Sequence, residues 1–235
     1  MATIDQSLFY STSPQMSAVE RVVEHFQELL LQRKIRPGDL LPSESVLAER
    51  LGVSRGSLRE AMKVLSALGL VEIKRGNGTY VCHDLGRGLL DPFLLRLNLL
   101  DYGIEQLMEF RMLIEMDVVR SILKHPNPEG LCGMATSLEH MAALDPAHAE
   151  SAWELDMAFH HAMAQASGNV LIQQLYTSLL RFFEPMIQKT YQVPGNREMA
   201  LQLHQAIYDA LVAGDEQAAT QAVANAIDGW IKGGE

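Results

Sequence analysis

Cysteine is scarce. Cys82 and Cys132 are the only two in 235 residues, and their spacing suits no metal-binding pair, so a disulfide framework is excluded and a reducing compartment is indicated. No uninterrupted apolar run reaches the ~18 residues of a membrane span, and the N-terminus lacks the charged and apolar blocks of a signal peptide. A cytoplasmic protein without a membrane partner is therefore expected. There is no internal repeat and no low-complexity tract. Positive charge is also in deficit, the formal net charge being −10, which by itself argues against a nucleic-acid partner. The deficit is uneven, however. Residues 1–82 hold 10 Lys and Arg against 9 Asp and Glu, net +1, whereas residues 83–235 hold 9 against 20, net −11. A locally basic surface can form in the first part, while the acidic remainder limits indiscriminate binding to DNA.

What is present divides into an arm and two domains. Residues 1–15 are polar and without period, a flexible arm. Over residues 16–83, apolar residues at Val19, Val22, Val23, Phe26, Leu29 and Leu30 recur at helical spacing and predict a first helix from Ser17 to Lys34. Pro37-Gly38-Asp39 is a turn. Ser43 is placed to cap a short second helix closed by Gly52, and Ser54 to cap a third that runs to about Leu68. Val71–Lys74 and Thr79–Cys82 alternate like strands around Arg75-Gly76-Asn77-Gly78, where Asn-Gly is a hairpin signal. Three helices and a β-hairpin describe a winged helix-turn-helix. Residues 84–235 are almost purely helical in pattern, punctuated at Gly103, Pro126–Pro128, Pro146, Gly168, Pro194–Gly195 and Gly214–Asp215. This predicts an all-α bundle of about seven helices, so the fold class is mainly α.

In the third helix Arg55, Arg59 and Lys63 form one stripe, and Leu58, Ala61, Met62, Leu65 and Leu68 occupy the other side. In isolation such a stripe is a solvated helix face. On the second helix of a tight helix-turn-helix it reads instead as a recognition face, because the start of that helix meets base edges in the major groove and Arg bonds guanine in bidentate fashion. Arg55 and Arg59 are the base-reading candidates. Ser54 and Ser57 at the helix start suit phosphate oxygens, and Lys74, Arg75 and Gly76 make a basic wing tip.

These segments carry a resemblance. Pro37-Gly38-Asp39-Leu40-Leu41-Pro42-Ser43-Glu44, Leu51-Gly52-Val53-Ser54-Arg55, Leu58-Arg59-Glu60-Ala61 and Lys74 through Val81 together resemble the GntR family of bacterial regulators. The resemblance implies DNA contacts at Ser54, Arg55, Gly56, Ser57, Arg59, Arg75 and Gly76. Ser45 stands where many members have an arginine.

The second domain has its own constellation. Asp156 and His160 lie four apart on a helix from Trp153 to Ser167 and emerge on one face, with His161 turned about 100° away. With His204 they make an N/O donor set for Zn²⁺, Ni²⁺ or Mn²⁺; the alternative is an ordinary Asp–His hydrogen bond in a helix interface. Arg111 stands among Leu107, Met108, Ile114 and Val118, so its guanidinium needs an anion, which Glu115 at i+4 can supply. Phe159, Tyr176, Phe182, Phe183, Trp153 and Met186 read as core. Asp156-x-x-Phe159-His160, Ala166–Asn169, the run from His204 to Asp215, and Arg111-x-x-x-Glu115 resemble the FCD ligand-binding domain of the FadR subfamily. That resemblance implies a metal held by Asp156, His160 and His204, and a small organic acid bound by Arg111. A third histidine of the pattern is replaced by Ala226, with Asn225 beside it as a substitute donor.

The whole is read as a ligand-responsive transcription regulator, a repressor, that binds a palindromic double-stranded DNA operator as a homodimer. A metal-responsive regulator and a metal-dependent hydrolase on the same residues are the alternatives. The sequence offers no second catalytic constellation, so no enzyme is expected.

Overall fold

The computed structural model describes residues 16–82, 96, 102–145, 148 and 151–233. The chain divides into two compact units, residues 1–89 and 90–235. The arm over residues 1–15, the punctuation at Pro146 and all of residues 83–101 except residue 96 lie outside the described residues.

In the first unit, helix α1 spans Ala18–Leu31 and opens on a capping box in which Ser17 Oγ accepts from Glu20 N and Ser17 N donates to Glu20 Oε2. The helix stops three residues before the expected Lys34. Arg33 takes a left-handed φ of 54°, and Arg33 N and Lys34 N turn back to Leu30 O and Leu29 O at 2.9 Å each. This is a Schellman closure built on arginine, and without the usual glycine the stop has no mark in the sequence.

Helices α2, Glu44–Leu51, and α3, Arg55–Ala67, flank the turn at Gly52, whose φ is 63°. Ser54 Oγ caps α3 by accepting from Ser57 N at 3.0 Å. Ser43 holds the cap position of α2 but makes no side-chain cap bond. Strands β1, Val71–Lys74, and β2, Gly78–Val81, pair antiparallel with Lys74 opposite Gly78. The turn therefore consists of Arg75, Gly76 and Asn77, with Asn77 N donating to Lys74 O at 3.0 Å. Gly76, at φ 81°, takes the third turn position; the expected Asn-Gly pair is not the centre.

The Pro37 turn delivers residues 38–41 alongside β2, where Gly38 N donates to Val81 O and Leu41 N to Thr79 O. The core of this unit packs Val22 and Phe26 of α1 on Leu58, Ala61, Met62 and Leu65 of α3, with Val71 and Val81 beneath. That packing turns the opposite side of α3 outward.

The second unit consists, among the described residues, of six helices: α4 Ile104–Lys124, α5 Pro128–Ala143, α6 Ala152–Ala166, α7 Val170–Thr190, α8 Asn196–Ala213 and α9 Glu216–Gly233. Helices α5 and α6 cross most closely at Gly130, where a Cβ would meet the backbone of Ala162 and Ala166. Helix α9 packs on α8 and α4, and α6 on α7. Met108, Met134, Phe159, Met163, Tyr176, Leu180 and Phe183 are wholly buried in the core. Among the described residues no helix is long and apolar enough to cross a membrane.

Candidate functional site

The exposed side of α3 begins with Arg55, which is exposed and, among the described residues, has no ion-pair partner. Gly56 is exposed beside it, and an added Cβ would touch only Ser54 Oγ, at 3.7 Å. Ser57 is half-buried, and its hydroxyl lies 2.9 Å from Ser54 Oγ. Arg59 is 66% exposed, and its Nε donates to Glu44 Oε2 of α2 at 2.7 Å. Lys63 is paired with Glu60. At the hairpin, Lys74 Nζ lies 3.3 Å from Glu72 and 5.2 Å from the centre of the Tyr80 ring, while Arg75 and Gly76 are exposed at the tip. An added Cβ at Gly76 meets nothing within 4 Å, so the backbone is open to approach.

The second unit encloses a cavity of about 40 Å³ lined by polar groups of α4 and α6 and by residues of the α7–α8 corner, α8 and α9. Arg111 and Glu115 enter it from α4, one helical turn apart, and Asp156 and His160 from α6, again one turn apart. All four are buried, as is His204 of α8. Arg111 Nε donates to Glu115 Oε1 at 2.7 Å, Arg111 Nη2 lies 3.2 Å from His160 Nε2, and the guanidinium carbon sits 5.4 Å from the centre of the Phe183 ring. His160 Nδ1 lies 2.8 Å from Tyr176 Oη.

The bonding fixes the tautomer. A guanidinium only donates, so His160 Nε2 accepts and the imidazole proton resides on Nδ1, donating to Tyr176 Oη. Burial, with the Glu115 carboxylate nearby, pushes the Tyr176 pKa well above the ordinary value, so its hydroxyl keeps its proton. Burial keeps His160 neutral by pushing its pKa well below the ordinary value, and pushes His204 down to about 4. Burial is the largest single influence on Arg111 and works against its charge, but Glu115, Tyr176 and Asp156 together outweigh it and the net shift is upward. Asp156 is raised by burial, an effect that His160 and Arg111 partly offset.

Asp156, His160 and His204 each offer a ligand atom, and these atoms lie within 4.8 Å of one another. Nε2 of His204 is 3.2 Å and Nε2 of His160 3.8 Å from Asp156 Oδ1. Zn–N and Zn–O bonds are about 2.0–2.2 Å, so holding one ion would require the three to close up and Arg111 Nη2 to give up the His160 Nε2 lone pair it now contacts. Buried His204 Nδ1 has no hydrogen-bond partner. One carboxylate and two imidazoles fit a three-ligand divalent-metal site with open positions. Ala226 lines the cavity where the family pattern has a histidine. Asn225 does not substitute: it is exposed on α9 and accepts from Gln221 Nε2 at 3.0 Å. His161 is exposed, as its helical phase requires.

Two tyrosines were not apparent as site residues in the sequence. Tyr176, read there as core, is core by its ring and part of the site by its hydroxyl. Tyr191 follows α7 and faces Asp156 without completing a hydrogen bond. Neither stands at helical spacing from a ligand residue, so periodicity carries no signal for them.

Comparison with known proteins accounts for both units. The profile of the gntR family of bacterial regulatory proteins matches residues 18–81, and that of the FCD domain matches residues 106–229. The chain is 30% identical over 187 residues to the HTH-type transcriptional regulator LutR of Bacillus subtilis (strain 168), covering 77% of this chain and 85% of that protein. It is 30% identical to the putative L-lactate dehydrogenase operon regulatory protein of Escherichia coli (strain K12), covering 87% and 81%. Identity to the galactonate operon transcriptional repressor of the same strain is 29%, covering 88% and 92%. The solved structure of Streptococcus agalactiae GntR superposes with a TM-score of 0.68 at 25% identity, over 90% of this chain and 97% of that one. The three relatives are named as regulators, and with them the hydrolase reading of the Asp-His-His cluster lapses. Helix-turn-helix, hairpin and helical unit thus stand in the order these proteins share, and the chain belongs to the GntR family of transcription regulators, in the branch that carries an FCD domain.

Proposed function

We propose that the chain is a homodimeric repressor whose grip on a palindromic operator is set by a small carboxylate bound in the helical unit. The observation that carries this reading is the convergence, in one buried cavity, of a guanidinium, two carboxylates and two neutral imidazoles. Such a cluster is expensive to bury and earns no packing advantage over apolar residues, which favours a ligand role. The relatives' names point the same way, since two of them refer to operons of lactate and galactonate metabolism. Arg111 supplies the anion contact, and Asp156, His160 and His204 hold a divalent metal that polarises the acid from its other side.

At the other unit, Arg55 and Arg59 read bases, Ser54, Ser57 and the Gly56 backbone contact phosphate, and Lys74, Arg75 and Gly76 track the backbone. One short helix reads few base pairs, so two-fold repetition supplies the remaining affinity. Leu171 and Leu175, exposed on α7, and Leu113, exposed on α4, are apolar side chains that a second copy would cover.

Mobility shift with the promoter of the protein's own gene region, with and without lactate, galactonate and related acids, tests the reading. A retarded band released by one acid is expected; no retarded species even at low salt overturns it. Calorimetry with Arg111→Ala tests the anion contact, which full effector affinity in that variant would exclude. The Asp-His-His cluster favours one second reading, a sensor of the metal itself. Operator binding that follows metal alone, with no organic acid, would establish it.

A further inference from the structure

We infer that Ala226 and its neighbours make this cavity amphiphilic, selecting a short aliphatic monocarboxylate with one hydroxyl or oxo group beside the carboxylate and rejecting polyhydroxylated sugar acids. The inference rests on the effector reading above and names the class of acid.

The lining is sorted by helix. Helices α4 and α6 present only charged or imidazole groups, whereas α9 presents only Ala226 and Ile227. Helix α8 adds Met199, Ala200 and Leu203 beside two polar contributors, Asn196 at its start and His204. A ligand that reaches Arg111 and Asp156 with its polar end therefore has hydrocarbon against much of the rest.

Unused hydrogen-bonding capacity on this wall is small. Thr190 Oγ1 donates to Ile187 O at 2.7 Å and Asn196 Nδ2 to Thr190 O at 2.8 Å, so both point their donors at backbone. Of the lining side chains, the buried atoms without any partner are Tyr191 Oη and His204 Nδ1. One hydroxyl and one ring nitrogen match a single oxygen function next to a carboxylate. A chain of several hydroxyls would press most of them on Leu203, Ala226 and Ile227, and each hydroxyl buried without a partner costs roughly tenfold in affinity.

The test is calorimetric titration of the full-length protein, with and without Zn²⁺, with lactate, 2-hydroxybutyrate and 2-oxobutyrate against galactonate and glucuronate. At least one aliphatic acid is expected to bind about tenfold or more tighter than both sugar acids. Ala226→Leu fills the apolar end and is expected to weaken 2-hydroxybutyrate more than lactate, a dependence on chain length that a general loss of structure does not produce. If that variant fails to fold, the wild-type series decides. Galactonate or glucuronate binding as tightly as the aliphatic acids overturns this inference alone and leaves the effector reading standing. Absence of binding by every acid overturns both.

Discussion

Arg59 and Arg111 carry the same guanidinium into opposite surroundings, and the same ion pair means different things in each. Arg59 and Glu44 are 66% and 41% exposed, so solvent screens their bond and it adds little to stability. On the reading proposed above, in which Arg59 reads a base, the bond matters for orientation, because Nε is already occupied by Glu44. Glu44→Ala should therefore leave the urea midpoint nearly unchanged while lowering discrimination between a selected operator and random duplex. Non-specific affinity should rise with loss of the negative charge, and fluorescence anisotropy on both duplexes reads the two effects separately. An equal gain on both duplexes would show Glu44 acting only as a repulsive charge. Arg111 and Glu115 are almost fully buried, and removing one partner leaves the other uncompensated, at a cost of about 3–5 kcal/mol. Arg111→Ala is expected to lose that much in urea unfolding, and Arg111→Ala with Glu115→Ala to lose distinctly less than the sum of the single changes. This site was legible in part. The i, i+4 spacings of Asp156 with His160 and of Arg111 with Glu115 can be read from helical periodicity alone. Tyr191, just past the end of α7, faces Asp156 of α6 through packing that no local pattern encodes.

At the scale of elements, helix ends are legible where local chemistry marks them. Ser54 and Gly52 bracket the recognition turn with a cap and a left-handed stop, and both act as their chemistry dictates. Helix α1 ends on Arg33 in a conformation that arginine seldom takes, and the turn centres on Arg75-Gly76, two positions before the Asn-Gly pair, because β1 and β2 pair at Lys74 and Gly78. Both shifts are decided by tertiary register, which the local sequence does not contain. Helix crossings are likewise invisible to periodicity, and Gly130 is the clearest case. An alanine there would gain about 1 kcal/mol of helix propensity, yet its methyl would meet the backbone of Ala162 and Ala166, which cannot rotate aside. Gly130→Ala is expected to destabilise by about 2 kcal/mol or more, as overpacking does. In Gly229→Ala the added carbon meets Leu203 Cδ1, the far end of a flexible side chain, and the loss should be smaller. Thermal melts of the two variants side by side check the ranking, and equal melting temperatures would refute the close α5–α6 approach.

For the whole molecule the decisive quantity is the coupling between two units that differ in charge, net +1 through residue 82 and −11 beyond it. The acidic bulk opposes approach to DNA and a few cations of the first unit promote it, so operator affinity should fall steeply with salt, each phosphate contact adding about −0.9 to the slope of log K against log salt. An acid can release DNA in two ways. It can bind the helical unit and bias the protein between states, or it can act as an anion that screens the DNA-reading face. Thermodynamic linkage separates them, because an effector that changes operator affinity by some factor must have its own affinity changed by the same factor when operator is bound. The factor is typically about 5–150. Titrating the acid into free protein and into protein saturated with operator should give affinities that differ by the ratio found in the mobility shift. Screening would give no such match, would be reproduced by chloride at equal ionic strength, and would survive substitution of Arg111 and His204. A matched ratio that is lost in those variants is the outcome expected of a regulator in which the buried cavity and the exposed arginines share one equilibrium.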